Sequence, residues 1–148
     1  MGDNLEEQQT RAQELARARY KDGFNCAEAV LRAFNEELDL NLGDDAIKIA
    51  SGFGGGLGHA GCMCGALSGA VMVISLLSGR LRADENRDPV YNAASEFHNR
   101  FRGHFGATCC RVLNKNPFGT SEQRKSCYRI TGETAELLAR FLAEKGLA

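Results

Sequence analysis

The chain contains no tryptophan, so Leu, Ala, Val and Phe must supply its core, and a hydrophobic content of 43% is enough for a soluble helical protein. An excess of charge of either sign is also missing, since Lys and Arg nearly balance Asp and Glu at a net charge of −1. Without a broad basic field nothing recruits nucleic acid, and no acidic tail is present. The opening MGDNLEEQQTRAQ lacks the apolar middle of a secretory signal. The apolar run at 66–77 is too short, and too broken by Gly and Ser, to cross a bilayer. The expected setting is therefore cytoplasmic, with no membrane association. A length of 148 residues suits one hydrophobic core, hence a single domain over 1–148.

What the chain does have is sulfur. Six cysteines in a chain with no export signal argue against a structural disulfide framework and for metal ligation, an iron–sulfur centre or reversible thiol chemistry. They lie around a glycine-dense stretch, GFGGGLGHAGCMCGALSGAVMVISLL, from Gly52 to Leu77. Its glycines match neither a GxxxxGK[ST] nucleotide loop nor a dinucleotide fingerprint, which leaves close backbone packing against a helix or a compact centre. Cys62-Met63-Cys64 is a CxC pair, neither a CxxC redox motif nor half of a four-cysteine zinc pattern by spacing.

Helical periodicity dominates the rest. Residues 5–21 are rich in helix formers, with Ala12, Leu15 and Ala16 on one face and Tyr20 read as a packing residue. Asn25 is a candidate cap for a helix carrying Ala27, Val30, Leu31, Phe34 and Leu38 on its apolar face, which places Cys26 in the first turn. There the positive helix end favours thiolate over thiol, and Cys64 stands in the same position before a helix beginning GALSG. Residues 44–51 read as a short helix and 80–87 as a charged connector. Asp88 is expected to cap a helix with Pro89 at its first position and Phe97, Phe101 and Phe105 on its core face. Cys127 is expected after a polar loop, with Thr131 capping the terminal helix. His59 is a candidate imidazole ligand, while Met63 and Met72 read as packing residues. Cys109-Cys110 leaves open a vicinal disulfide, two sulfurs in different environments, or a single metal ligand. The expected fold is an all-α, single-domain bundle of about five or six helices with a glycine-rich loop beside a buried helix.

Taken together, Cys26, Phe53-Gly54-Gly55-Gly56, Cys64-Gly65-Ala66-Leu67-Ser68-Gly69, Cys110 and Cys127 resemble the redox-active protein family named for its C-GCAxxG-C-C pattern, related to the C-terminal domain of split-Soret cytochrome c. The resemblance implies Cys26, Cys64, Cys110 and Cys127 as cofactor ligands, with Cys62 and Cys109 as further candidate metal ligands. The implied cofactor is a [2Fe-2S] or [4Fe-4S] cluster, with zinc as the alternative. The expected function is electron transfer or redox sensing with a redox protein partner, by a module and not a substrate-specific enzyme. A homodimer is expected if the small-residue helix supports a second subunit. The alternatives are a thiol–disulfide oxidoreductase using Cys62, Cys64 and the Cys109-Cys110 pair, and a structural zinc protein.

Overall fold

The structure, a computed structural model, describes residues 2–148. Five helices of twelve or more residues make the bundle: α1 (Gly2–Lys21), α2 (Cys26–Glu37), α5 (Gly65–Ser78), α6 (Asp88–Phe105) and α8 (Ser121–Glu144). Short helical segments link them: α3 (Asp44–Ile47), a 3-10 turn (Lys48–Phe53), α4 (Gly54–Leu57) and α7 (Cys110–Leu113). No strand occurs among the described residues, so the fold is an all-α single-domain bundle.

The apolar faces decide the packing. Ala12 and Ala16 of α1 are fully buried, and their small side chains let both α8 and α2 pack against α1. Phe34 of α2, Leu67 and Ile74 of α5, Phe97 and Phe101 of α6, and Phe141 of α8 fill the centre. Phe97 and Phe141 meet edge to face with ring centroids 5.4 Å apart, an arrangement that aromatic quadrupoles favour.

Glycine sets the closest approach. At Gly69 an added Cβ would lie 2.7 Å from the Ala27 carbonyl oxygen, so α5 and α2 touch backbone to backbone. The small residues of α5 that suggested a second subunit are thus spent on α2 of the same chain. Met63 and Met72 pack on the core rim, as expected.

Two helix starts differ from expectation. Arg87, not Asp88, is the residue before α6, and Asp88 already belongs to the first turn with Pro89. The terminal helix begins eleven residues before the start expected from a Thr131 cap: Thr120 caps it by accepting from the Gln123 N–H at 3.2 Å. The polar run after Thr120 lacks an apolar stripe, but its Glu, Gln, Arg and Lys are strong helix formers. Cys127 therefore sits on a helix, and Thr131 is a fully buried residue inside it.

Candidate functional site

Asn25 builds the first wall of the site. Its side chain accepts from the Glu28 N–H at 2.9 Å while Glu28 Oε1 accepts from the Asn25 N–H at 3.0 Å, a reciprocal capping box that starts α2 at Cys26. The other end of the same side chain donates to the Ser51 carbonyl at 3.0 Å, which ties α2 to the 3-10 turn. Opposite, Gly65 lies so close that a Cβ there would run into Cys26 Sγ and stand 2.9 Å from the Phe53 carbonyl.

The glycine loop then turns back on itself. Gly56 adopts φ of 69°, and a Cβ at this position would collide with the Cys62 N–H group and lie 2.7 Å from the Gly61 carbonyl carbon. This turn delivers Cys62, Met63 and Cys64 against the segment entering α7. Two backbone hydrogen bonds join the strands of chain there: Cys64 N–H to the Thr108 carbonyl at 2.8 Å, and Arg111 N–H to the Gly61 carbonyl at 3.0 Å. Between them Cys62 and Cys109 are joined by a disulfide, their Cα atoms 4.2 Å apart. The adjacent Cys109 and Cys110 thus face different surroundings, one bonded and one a buried free thiol.

Cys26, Cys64, Cys110 and Cys127 remain free and line one cavity of about 550 Å³, with Tyr20, Asn114, Gln123 and Thr131 also in its walls. His59 stacks on Phe118 beside this cavity, ring centroids 4.0 Å apart. A larger apolar groove of about 800 Å³, lined in part by Leu67 and Met72, holds none of the cysteines.

Burial governs the chemistry of three of these thiols. Cys26 is 8% exposed and Cys64 5% exposed. Burial, with the neighbouring Cys127 sulfur second, pushes Cys26 up to about 11, against the pull of the Gly55 and Ala27 N–H groups. Burial raises Cys64 further still, although the Ala66 and Leu67 amides at the head of α5 face it. Neither amide completes a cap hydrogen bond to that sulfur. Cys110 is raised by burial and then by Cys127. A helix terminus contributes only about 0.3–1 kcal/mol, less than one pKa unit, whereas burial moves a group by several. The expectation that the helix ends make thiolates of Cys26 and Cys64 is corrected accordingly: both hold their protons at neutral pH.

Cys127 differs from these three. It is only half-buried, and its sulfur accepts from Gln123 Nε2 at 3.0 Å and from Asn114 Nδ2 at 3.3 Å. Both amides are pinned by backbone: Asn114 Nδ2 also donates to the Gln123 carbonyl at 3.0 Å, and Gln123 Oε1 accepts from the Gly119 N–H at 3.1 Å. The Tyr20 hydroxyl interacts with the same sulfur and is held protonated, first by burial and then by Cys127 and Cys26.

The cluster expectation does not fit this geometry. Among the described residues no group of three or more His, Cys, Asp or Glu side chains is placed to hold a metal ion. Cys62 and Cys109 spend their sulfurs on each other, and His59 stacks on Phe118. The expected [2Fe-2S] or [4Fe-4S] centre on Cys26, Cys64, Cys110 and Cys127, and zinc as its alternative, are both corrected by this finding. With them goes the expected one-electron, metal-based electron transfer.

Sequence reasoning did not find Asn114 or Gln123 and read Tyr20 chiefly as packing. The Gln123 and Cys127 spacing of four residues would have marked a shared helix face, had the helix been started at Thr120. Asn114 carries no comparable signal, because its approach to Cys127 depends on the turn between α7 and α8.

Residues 24–141 match the family described as "Putative redox-active protein (C_GCAxxG_C_C)". An uncharacterized protein of Archaeoglobus fulgidus is 30% identical over 130 residues, covering 82% of this chain and 86% of that protein. No solved structure gives a significant match. Among the described residues, no helix is long and apolar enough to cross a membrane. With the motif cysteines lining one cavity and the match spanning most of its length, the chain belongs to the C_GCAxxG_C_C family of redox-active proteins.

Proposed function

We propose that the protein is a thiol–disulfide redox protein whose exchangeable bond is Cys62–Cys109. One observation carries this reading: a single cysteine pair is bonded, and the backbone on either side of it is held by hydrogen bonds that do not depend on the sulfur bond. Opening the disulfide leaves the two thiols facing each other across the Cys64–Thr108 and Arg111–Gly61 contacts, so the bond can close again without a search.

The reaction is a two-electron exchange with a partner dithiol. A partner thiolate attacks one sulfur of the Cys62–Cys109 bond, the sulfur–sulfur bond breaks, and a mixed disulfide forms as the other cysteine leaves as thiolate. The second partner thiol then displaces the attacked cysteine. The partner departs as a disulfide, and Cys62 and Cys109 each gain a proton. The reverse sequence oxidises the pair.

The family's redox character supports a redox protein as partner, and on this protein's side every step uses Cys62 and Cys109 of one chain. A cytoplasmic setting, where partner dithiols are kept reduced, suits the reductive direction. A homodimer and the relation to split-Soret cytochrome c play no part in these steps.

Trapping tests the reading. A reduced thioredoxin whose resolving cysteine is replaced by serine should be trapped as a mixed disulfide on Cys62 or Cys109 of the wild-type chain, while the Cys62→Ser/Cys109→Ser double variant, which offers no disulfide to attack, yields none. Equal trapping by the double variant would refute it.

A further inference from the structure

We infer that Cys127 is a nucleophile for low-molecular-weight disulfides entering the thiol-lined cavity; the inference rests on the thiol–disulfide reading and names a substrate class for it. The first ground is selectivity among sulfurs. Cys26, Cys64 and Cys110 are each less than a tenth exposed, whereas Cys127 is half-buried and reachable.

The second ground is the set of donors around it. Asn114 and Gln123 are 8% and 9% exposed, and both aim amide N–H groups at one sulfur from orientations fixed by backbone partners. Burying two amides against a thiol alone is a poor use of strong donors, because neutral sulfur is a weak acceptor. The same donors become strong when negative charge develops on that sulfur, as in attack or departure. They act on Cys127 as positioning residues.

The third ground is room. The cavity, at about 550 Å³, falls within the usual range of about 300–1,000 Å³ for small-molecule sites and is too confined for a folded partner. The Thr131 hydroxyl, in the same wall and one turn beyond Cys127, is fully buried and has no hydrogen-bond partner. It is a polar atom left for a ligand or water.

The step balances without a further reagent. The Cys127 thiol gives its proton to water, its sulfur attacks one sulfur of RS–SR, and that sulfur–sulfur bond breaks. Cys127–S–SR forms, and the RS⁻ that leaves takes up a proton.

Oxidised glutathione serves as the probe, with the full chain and intact mass followed by peptide mapping as the readout. The expected result is one adduct, on Cys127, whose rate saturates with probe concentration and which Cys127→Ser abolishes. Gln123→Glu keeps the oxygen that accepts from Gly119 but replaces a donor by a carboxylate. It should lower the limiting rate about tenfold, leaving the half-saturating concentration unchanged while circular dichroism still reports the folded bundle. Labelling of another cysteine in preference, linear kinetics, or a Gln123→Glu rate equal to wild type would overturn the inference. Adduct formation in the Cys62→Ser/Cys109→Ser double variant, read beside cycling of the pair in the wild-type chain, separates the two proposals: an adduct in the double variant with no cycling of the wild-type pair sinks only the proposed function. Cycling of the pair with no Cys127 adduct sinks only this inference.

Discussion

Gly65 and Cys26 lie so close that a single added methyl at the glycine would run into the cysteine sulfur. The first residues of two helices therefore meet at one wall of the cavity, and the thiol there is sealed by backbone. Its pKa of about 11 follows from that sealing.

A pH dependence of stability follows, with a definite sign. Burial raises folded Cys26 above the ordinary thiol value of about 8.5, so the folded chain keeps a proton that the unfolded chain loses. The stabilisation is complete below about pH 8.5 and is lost as pH rises towards 11, at up to about 1.4 kcal/mol per pH unit for this group. Urea titrations from pH 7 to 11 should show the fall, and Cys26→Ala should make it shallower, leaving the share that Cys64 and Cys110 contribute with the same sign.

Alanine at two helical glycines should act in opposite directions. Gly69→Ala presses a methyl onto the Ala27 carbonyl at 2.7 Å and should lower stability by about 1–3 kcal/mol. Gly103, inside α6, has nothing within 4 Å of an added Cβ, and Gly103→Ala should raise stability by about 0.5–1 kcal/mol. Thermal melts of the two variants check the contrast.

Asn25→Ala removes both the capping box and the tie to Ser51. A loss of about 1–2 kcal/mol is expected. Cys26 should also become open to alkylation, because the turn that covers it loses an anchor. Alkylation of Cys26 at the wild-type rate would count against this role.

These features were legible in the sequence to different depths. Asn25, the apolar spacing of α2 and the Cys64-Gly65 start of α5 could be read because capping and periodicity are local. The electrostatics went the other way: proximity of Cys26 and Cys64 to helix ends is visible in sequence, but the burial that outweighs it is made by Gly65, Phe53 and the glycine loop meeting in space. The Cys62–Cys109 bond spans 47 residues, and no spacing rule selects it from the other pairings of six cysteines. Cys127 was expected after a polar loop and ahead of the terminal helix, not within it, because residues 121–129 carry helix propensity without an apolar stripe.

Closing a loop of 47 residues restricts the unfolded chain, so reduction of Cys62–Cys109 should lower stability by about 2–4 kcal/mol while the bundle persists. The Cys62→Ser/Cys109→Ser variant should match the reduced wild type in urea midpoint. A reduced protein without helical structure would show that the bond is structural.

The most direct measurement is equilibration of the full chain against reduced and oxidised dithiothreitol, with acid quench, alkylation and peptide mapping of each cysteine. The account predicts that Cys62 and Cys109 appear as thiols together, in one reversible two-electron transition, under conditions where circular dichroism still reports the folded bundle. A bond that yields only when the helices melt, or a first transition at cysteines other than this pair, would contradict it.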